Sequence, residues 1–178
     1  MPERPDRVVL VGFMGSGKTS VGRILARRLG YQFEDMDGRI EKRAGRAIGA
    51  IFREDGEAAF REMEREEALA LSRLPARVVA TGGGAFTRPE TRALLQKGAL
   101  TVWLRCDLET ILARVPADGS RPLAGNRDIM RALLAEREPS YRMADAAVDA
   151  SAGTAREVAQ RIAGLIGGPG RGKKSARR

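Results

Sequence analysis

The run Gly12-Phe13-Met14-Gly15-Ser16-Gly17-Lys18-Thr19 limits the possible folds of this chain more than any other segment. It fits the phosphate-loop pattern G-x-x-x-x-G-K-[ST]. Such a loop needs a strand before it and a helix after it, and the flanking residues supply both. Arg7 to Val11 is a short apolar run rich in Val and Leu, as a buried strand requires. From Lys18 to Leu29, Val21, Leu25 and Leu29 recur at i, i+4 and i+8, and Gly30 suits a helix C-cap. The glycines let the backbone curl so that its N–H groups face a phosphate. Lys18 adds a point charge, Thr19 offers a hydroxyl to Mg²⁺, and the helix start adds its positive dipole end.

The rest of the chain repeats this alternation. Strands are expected at Tyr31 to Glu34, Arg77 to Ala80, Leu100 to Leu104 and Ala147 to Ala150. Helices are expected at Ile40 to Ala44, Ile48 to Glu54, Glu57 to Leu74 and Pro89 to Lys97. Further helices are expected at Asp107 to Arg114, Asp128 to Arg137 and Thr154 to Ile166, the second ending before Pro139. Val115 to Arg127 is irregular, with two prolines and two glycines. The pattern predicts an α/β fold: a parallel sheet with helices on both faces. In such sheets ligands sit beyond the carboxyl ends of the strands, where the glycine-rich turns and the Asp35/Asp37 pair fall.

Composition removes several chemistries. The 178 residues contain no histidine, so Ser-His-Asp and Cys-His catalysis and the common zinc sites are excluded. One cysteine, Cys106, permits no internal disulfide. No apolar run reaches the ~18 residues of a membrane span, and Met1 to Arg7 lacks the apolar stretch of a secretory signal. The net charge of +9 fits an anionic ligand. Part of it is local, because Gly167 to Arg178 carries Arg171, Lys173, Lys174, Arg177 and Arg178 and no acid. Aromatic residues are only 4%, which argues against a base-stacking platform and a nucleic-acid partner.

Four further segments carry chemistry. Asp35 and Asp37 close the second strand, where one carboxylate can serve a Mg²⁺ shell and the other a substrate hydroxyl. An acid normally ends an apolar strand as partner to the phosphate loop, but Val78-Val79-Ala80 runs into Thr81, so Asp35 is the nearest candidate. Gly82, Gly83 and Gly84 permit close backbone approach to a ligand, or simply a tight turn. Arg61 lies on a helix dense in acids and could pair with them. Arg121, in the irregular segment, could close onto a transferring phosphate as part of a lid.

Together these segments resemble shikimate kinase. The matching pieces are GFMGSGKT, FEDMD, IEKRAGRAIGAIF, GEAAFREME, TGGGA, RPL and REPSY, from Val8 to about Ile166. The resemblance implies a three-layer sandwich of the nucleoside-monophosphate-kinase type, with a five-stranded parallel sheet and a lid. It implies one kinase domain over residues 1–166, a lid at about 115–127, an acceptor-binding helical segment at about 37–65 and a disordered basic tail at 167–178.

It also implies transfer of the γ-phosphate of MgATP to the 3-hydroxyl of shikimate, on the route to chorismate, by a cytoplasmic monomer. Gly15, Ser16, Gly17, Lys18, Thr19 and Ser20 would meet the ATP phosphates. Thr19 would take Mg²⁺, with Asp35 in its outer shell. Asp37 would meet the shikimate hydroxyls, and Arg61 and Arg137 would clamp the carboxylate. Gly82, Gly83 and Gly84 would shape that pocket, Arg121 would reach the phosphates, and Arg114 would lie against adenine.

Overall fold

The computed structural model describes residues 4–115 and 126–167. The basic tail beyond Gly167 and almost all of the expected lid, Arg121 included, lie outside the described residues. Five strands form one parallel sheet: β1 (Arg7–Val11), β2 (Gln32–Asp35), β3 (Arg77–Ala80), β4 (Ala99–Arg105) and β5 (Ala146–Asp149). Their order across the sheet is β2-β3-β1-β4-β5, which puts β1 in the centre. Val9 is level with Val79 on one side and Thr101 on the other.

Every residue of β1 is buried. Successive side chains alternate between faces, so Val9 and Val11 join one apolar core while Val8 and Leu10 join the other. The first core packs against α2 (Met36–Ala44), α3 (Ile48–Glu54), α4 (Gly56–Leu71) and α5 (Pro89–Gln96), with α6 (Leu108–Arg114) and α7 (Arg127–Tyr141) completing that layer. The second packs against α1 (Lys18–Leu29) and α8 (Ala155–Gly167). This is the three-layer arrangement expected from the sequence. No helix among the described residues is long and apolar enough to cross a membrane.

Several boundaries differ from the sequence reading by one to four residues. Helix α2 begins at Met36 rather than Ile40, because Asp35 caps it, accepting from the Gly38 N–H at 3.2 Å. Asp37 therefore sits in the first turn of a helix, not in a loop. Helix α7 continues through Pro139 to Tyr141 instead of stopping at Arg137. Proline removes one helical donor, but Tyr141 is completely buried, and the Arg142 N–H donates to the Glu138 carbonyl at 3.0 Å. That anchorage outweighs the local break. Helix α8 extends to Gly167, one residue beyond the Ile166 expected as its end.

Candidate active site

The phosphate loop joins β1 to α1 at the carboxyl edge of the central strand. Gly12 has φ +144°, and a Cβ there would lie 2.8 Å from the Leu104 carbonyl oxygen, so no side chain fits. The Lys18 ammonium folds back onto the loop, donating to the Gly12 and Phe13 carbonyls at 2.8 Å each. Ser16 Oγ is buried and has no hydrogen-bond partner among the described residues. An orphaned hydroxyl inside a phosphate loop is what an incoming phosphate oxygen would satisfy.

Thr19 Oγ1 donates to Asp35 Oδ2 at 3.0 Å, bringing a hydroxyl and a carboxylate together across the start of α1 and the end of β2. Among the described residues, no group of three or more His, Cys, Asp or Glu could hold a metal ion. The pair still fits Mg²⁺, a hard cation that takes one or two protein oxygens and completes its shell with water and phosphate.

Beside the loop lies a cavity of about 210 Å³ lined by Gly17, Ser20, Arg114, Ala150, Gly153 and Val158. Arg114 reaches Cys106, with Nη1 3.7 Å from Sγ. Burial pushes the Cys106 thiol up despite the Arg114 charge.

The other flank is built around the turn that follows β3. Each of its three glycines faces a different charged group, as the positions of their missing Cβ atoms show. At Gly82 a Cβ would lie 2.6 Å from Asp37 Oδ1 and 3.0 Å from Glu64 Oε1. At Gly83 it would lie 3.1 Å from Arg137 Nη1, and at Gly84 only 2.5 Å from Arg61 Nη1. Absent side chains thus let two acids and two guanidinium groups close onto one stretch of backbone. Arg137 arrives from α7 and stacks over Phe13, its Cζ 5.7 Å from the ring centroid. Arg137 is thereby placed against both the phosphate loop and the glycine turn.

Arg61 does pair with neighbouring acids. Nη1 donates to Glu64 at 2.6 Å, while Nε and Nη2 donate to Glu57 at 3.2 and 3.1 Å. Burial alone would lower the Arg61 guanidinium, but these carboxylates more than offset it and hold it above its ordinary value. Glu64 is 1% exposed. Burial pushes its carboxyl above the usual range, Arg61 and Arg137 pull it down, and Asp37 pushes it further up.

Glu64 was not singled out from the sequence, where it reads as one acid among many on a charged helix. The signal was its phase: it lies one turn beyond Phe60 on the buried stripe of α4.

The structure thus gathers Asp37, Arg61, Gly82, Gly83, Gly84 and Arg137 on one side of the phosphate loop, and Ser20 and Arg114 on the other. Arg121 lies outside the described residues.

The chain is similar to known proteins along most of its length. The family model for shikimate kinase matches residues 14–166. A shikimate kinase of Geobacter sulfurreducens is 43% identical over 169 residues, covering 93% of each chain. One of Caulobacter vibrioides is 48% identical over 151 residues, covering 83% of this chain and 76% of its own. Among solved structures, shikimate kinase from Acinetobacter baumannii in complex with shikimate superposes with a TM-score of 0.86 at 40% identity, covering 90% of this chain and 92% of its own. A family model that spans residues 14–166, and relatives more than 40% identical over most of the chain, lead to one conclusion: the chain belongs to the shikimate kinase family.

Proposed function

We propose that this protein transfers the γ-phosphoryl group of ATP to the 3-hydroxyl of shikimate, giving shikimate 3-phosphate and ADP on the route to chorismate. The observation that carries the reading is the convergence of Asp37, Arg61 and Arg137 on the three-glycine turn beside the phosphate loop. Two guanidinium groups suit a small carboxylate, which they bind through paired hydrogen bonds that lysine cannot reproduce. Asp37 receives the hydrogen bond of the reacting hydroxyl. A loose phosphoryl-transfer transition state asks little more of a base than this, since positioning and charge stabilisation dominate.

On the donor side, the loop amides, Ser16 and Lys18 hold the phosphates, and Lys18 meets the charge that develops there. Ser20 and Arg114 border the nucleoside cleft. Thr19 and Asp35 would hold Mg²⁺, which supplies charge neutralisation to the phosphate chain when bound. The reaction needs no second subunit and no membrane, and we place it in a cytoplasmic monomer.

The test is ADP release with MgATP in the presence of shikimate, of gluconate, or of no acceptor. Rapid ADP formation with shikimate alone is the expected result. Faster turnover with gluconate, or none with either acid from folded protein that binds ATP, would reject shikimate as the acceptor.

A finer check lies at Gly84. Gly84→Ala forces a methyl group onto the Arg61 guanidinium, the far end of a flexible side chain that can move aside. Stability should therefore fall less than in Arg61→Ala, which loses the Glu64 ion pair outright, while the shikimate KM rises by about tenfold and the ATP KM stays within about twofold. An unchanged shikimate KM would mean that Arg61 does not touch the acceptor.

A further inference from the structure

Tyr141 lies outside every role assigned above, yet it touches the acceptor site at a decisive point. Its ring is fully buried at the end of α7, one turn beyond Arg137, and packs against Trp103 with centroids 6.1 Å apart. Its hydroxyl donates to the carbonyl oxygen of Gly83 at 2.5 Å, joining residues 58 positions apart in the chain.

That carbonyl belongs to the middle glycine of the turn on which Asp37, Arg61 and Arg137 converge. The peptide unit is planar and trans, so fixing the Gly83 C=O toward Tyr141 also sends the Gly84 N–H the opposite way. The same helix turn carries Arg137, whose Nη1 lies against Gly83. One phenol therefore sets the rotation of a glycine peptide that has no side chain to restrain it, and ties that peptide to the helix bearing a clamp arginine.

We propose that Tyr141 is a positioning residue for the acceptor: its hydroxyl locks the Gly83–Gly84 peptide and Arg137 in the geometry that binds the acceptor carboxylate. Nearby groups favour this. Burial pushes the phenol up to about 12, and the adjacent Arg137 does not bring it back, so it remains a donor throughout the working pH range. Neighbouring hydrogen bonds brace the rest of the turn: the Ala85 N–H donates to the Gly82 carbonyl at 3.3 Å, and Thr87 Oγ1 to the Gly84 carbonyl at 2.7 Å. The middle carbonyl is the one that depends on Tyr141. Proline at 139 fits the same design, since the helix must persist past it to deliver the hydroxyl.

The inference rests on the acceptor reading above, and wild-type turnover with shikimate tests that reading separately. Tyr141→Phe removes a single oxygen and keeps the ring against Trp103. The shikimate KM should rise about tenfold, with the ATP KM within about twofold and kcat changed less than the shikimate KM. Direct titration of shikimate into the nucleotide-free variant should show the same weakening. Tyr141→Leu, which also empties the ring site, should lower Tm well below that of Tyr141→Phe.

Three outcomes would overturn the proposal. The first is Tyr141→Phe with both KM values at wild-type levels. The second is an equal rise in both, which marks general loosening. The third is failure of Tyr141→Phe to fold, which makes the hydroxyl a requirement of the core and not of the site.

Discussion

Lys18→Ala is expected to cut turnover by at least about a thousandfold while leaving a folded protein. The Lys18 ammonium lies within the curl of the phosphate loop, where it donates to the Gly12 and Phe13 carbonyls. When a phosphate chain occupies the loop, the same ammonium can turn onto its oxygens. Its contribution grows as the bond to the leaving phosphate breaks and charge builds up, so kcat falls more than ATP affinity. The fold does not depend on it. Helix α1 is held by Val21, Leu25 and Ala26, buried against the sheet, and the loop keeps its shape through its glycines. Circular dichroism and Tm should remain near wild type. Turnover within tenfold of wild type would remove Lys18 from the reaction. Lys18→Arg should rescue little, since a planar fork cannot occupy the position of a compact ammonium.

Arg61→Ala and Arg137→Ala should each raise the shikimate KM by about a hundredfold while changing the ATP KM far less. The two losses differ in their effect on stability. Removing Arg61 strips buried Glu64 of its 2.6 Å ion pair, and breaking a buried pair costs on the order of 3 kcal/mol. Removing Arg137 leaves that pair intact and should cost much less.

The penalty at Arg61 has a defined pH dependence. Burial already raises the Glu64 carboxyl, and loss of Arg61 raises it further. A carboxyl with a raised folded value favours the folded state while it is protonated, and that advantage disappears as pH rises through the raised value. Arg61→Ala should therefore be closest to wild type in acid and lose stability from the usual carboxylate range upward. Adding Glu64→Gln should flatten the curve. A stability difference from wild type that is constant between about pH 4 and 8 would show that Glu64 does not carry the charge assigned to it.

Much of the frame is legible in the sequence because its breaks are chemical. Gly12 ends β1, Gly30 ends α1, and Pro75 separates α4 from β3. Failures came where a distant contact overruled a local signal. Pro139 reads as a stop, but Tyr141 finds Gly83 and a buried seat, so the helix survives it. Ile40 reads as a helix start, but Asp35 both caps α2 and meets Thr19. Glu64 was hidden by its setting, since only burial distinguishes it from the exposed acids beside it. The facing of each of three glycines to its own charged group could not be read from spacing, because it depends on α2, α4 and α7 meeting at one turn.

The strand order has a consequence for how such a chain can change over time. The phosphate loop leaves the central strand, Asp37, Arg61 and the glycine turn gather around β2 and β3, and the cavity bordered by Ser20 and Arg114 opens beside β4 and β5. On the function proposed above, these two flanks would serve the two halves of the reaction as separate neighbourhoods. Substitutions that retune the acceptor can accumulate on one flank without crossing the donor, and the reverse also holds. Arg137 is the exception, reaching over Phe13 from α7 to Gly83. It is the point at which drift in one neighbourhood becomes a constraint on the other.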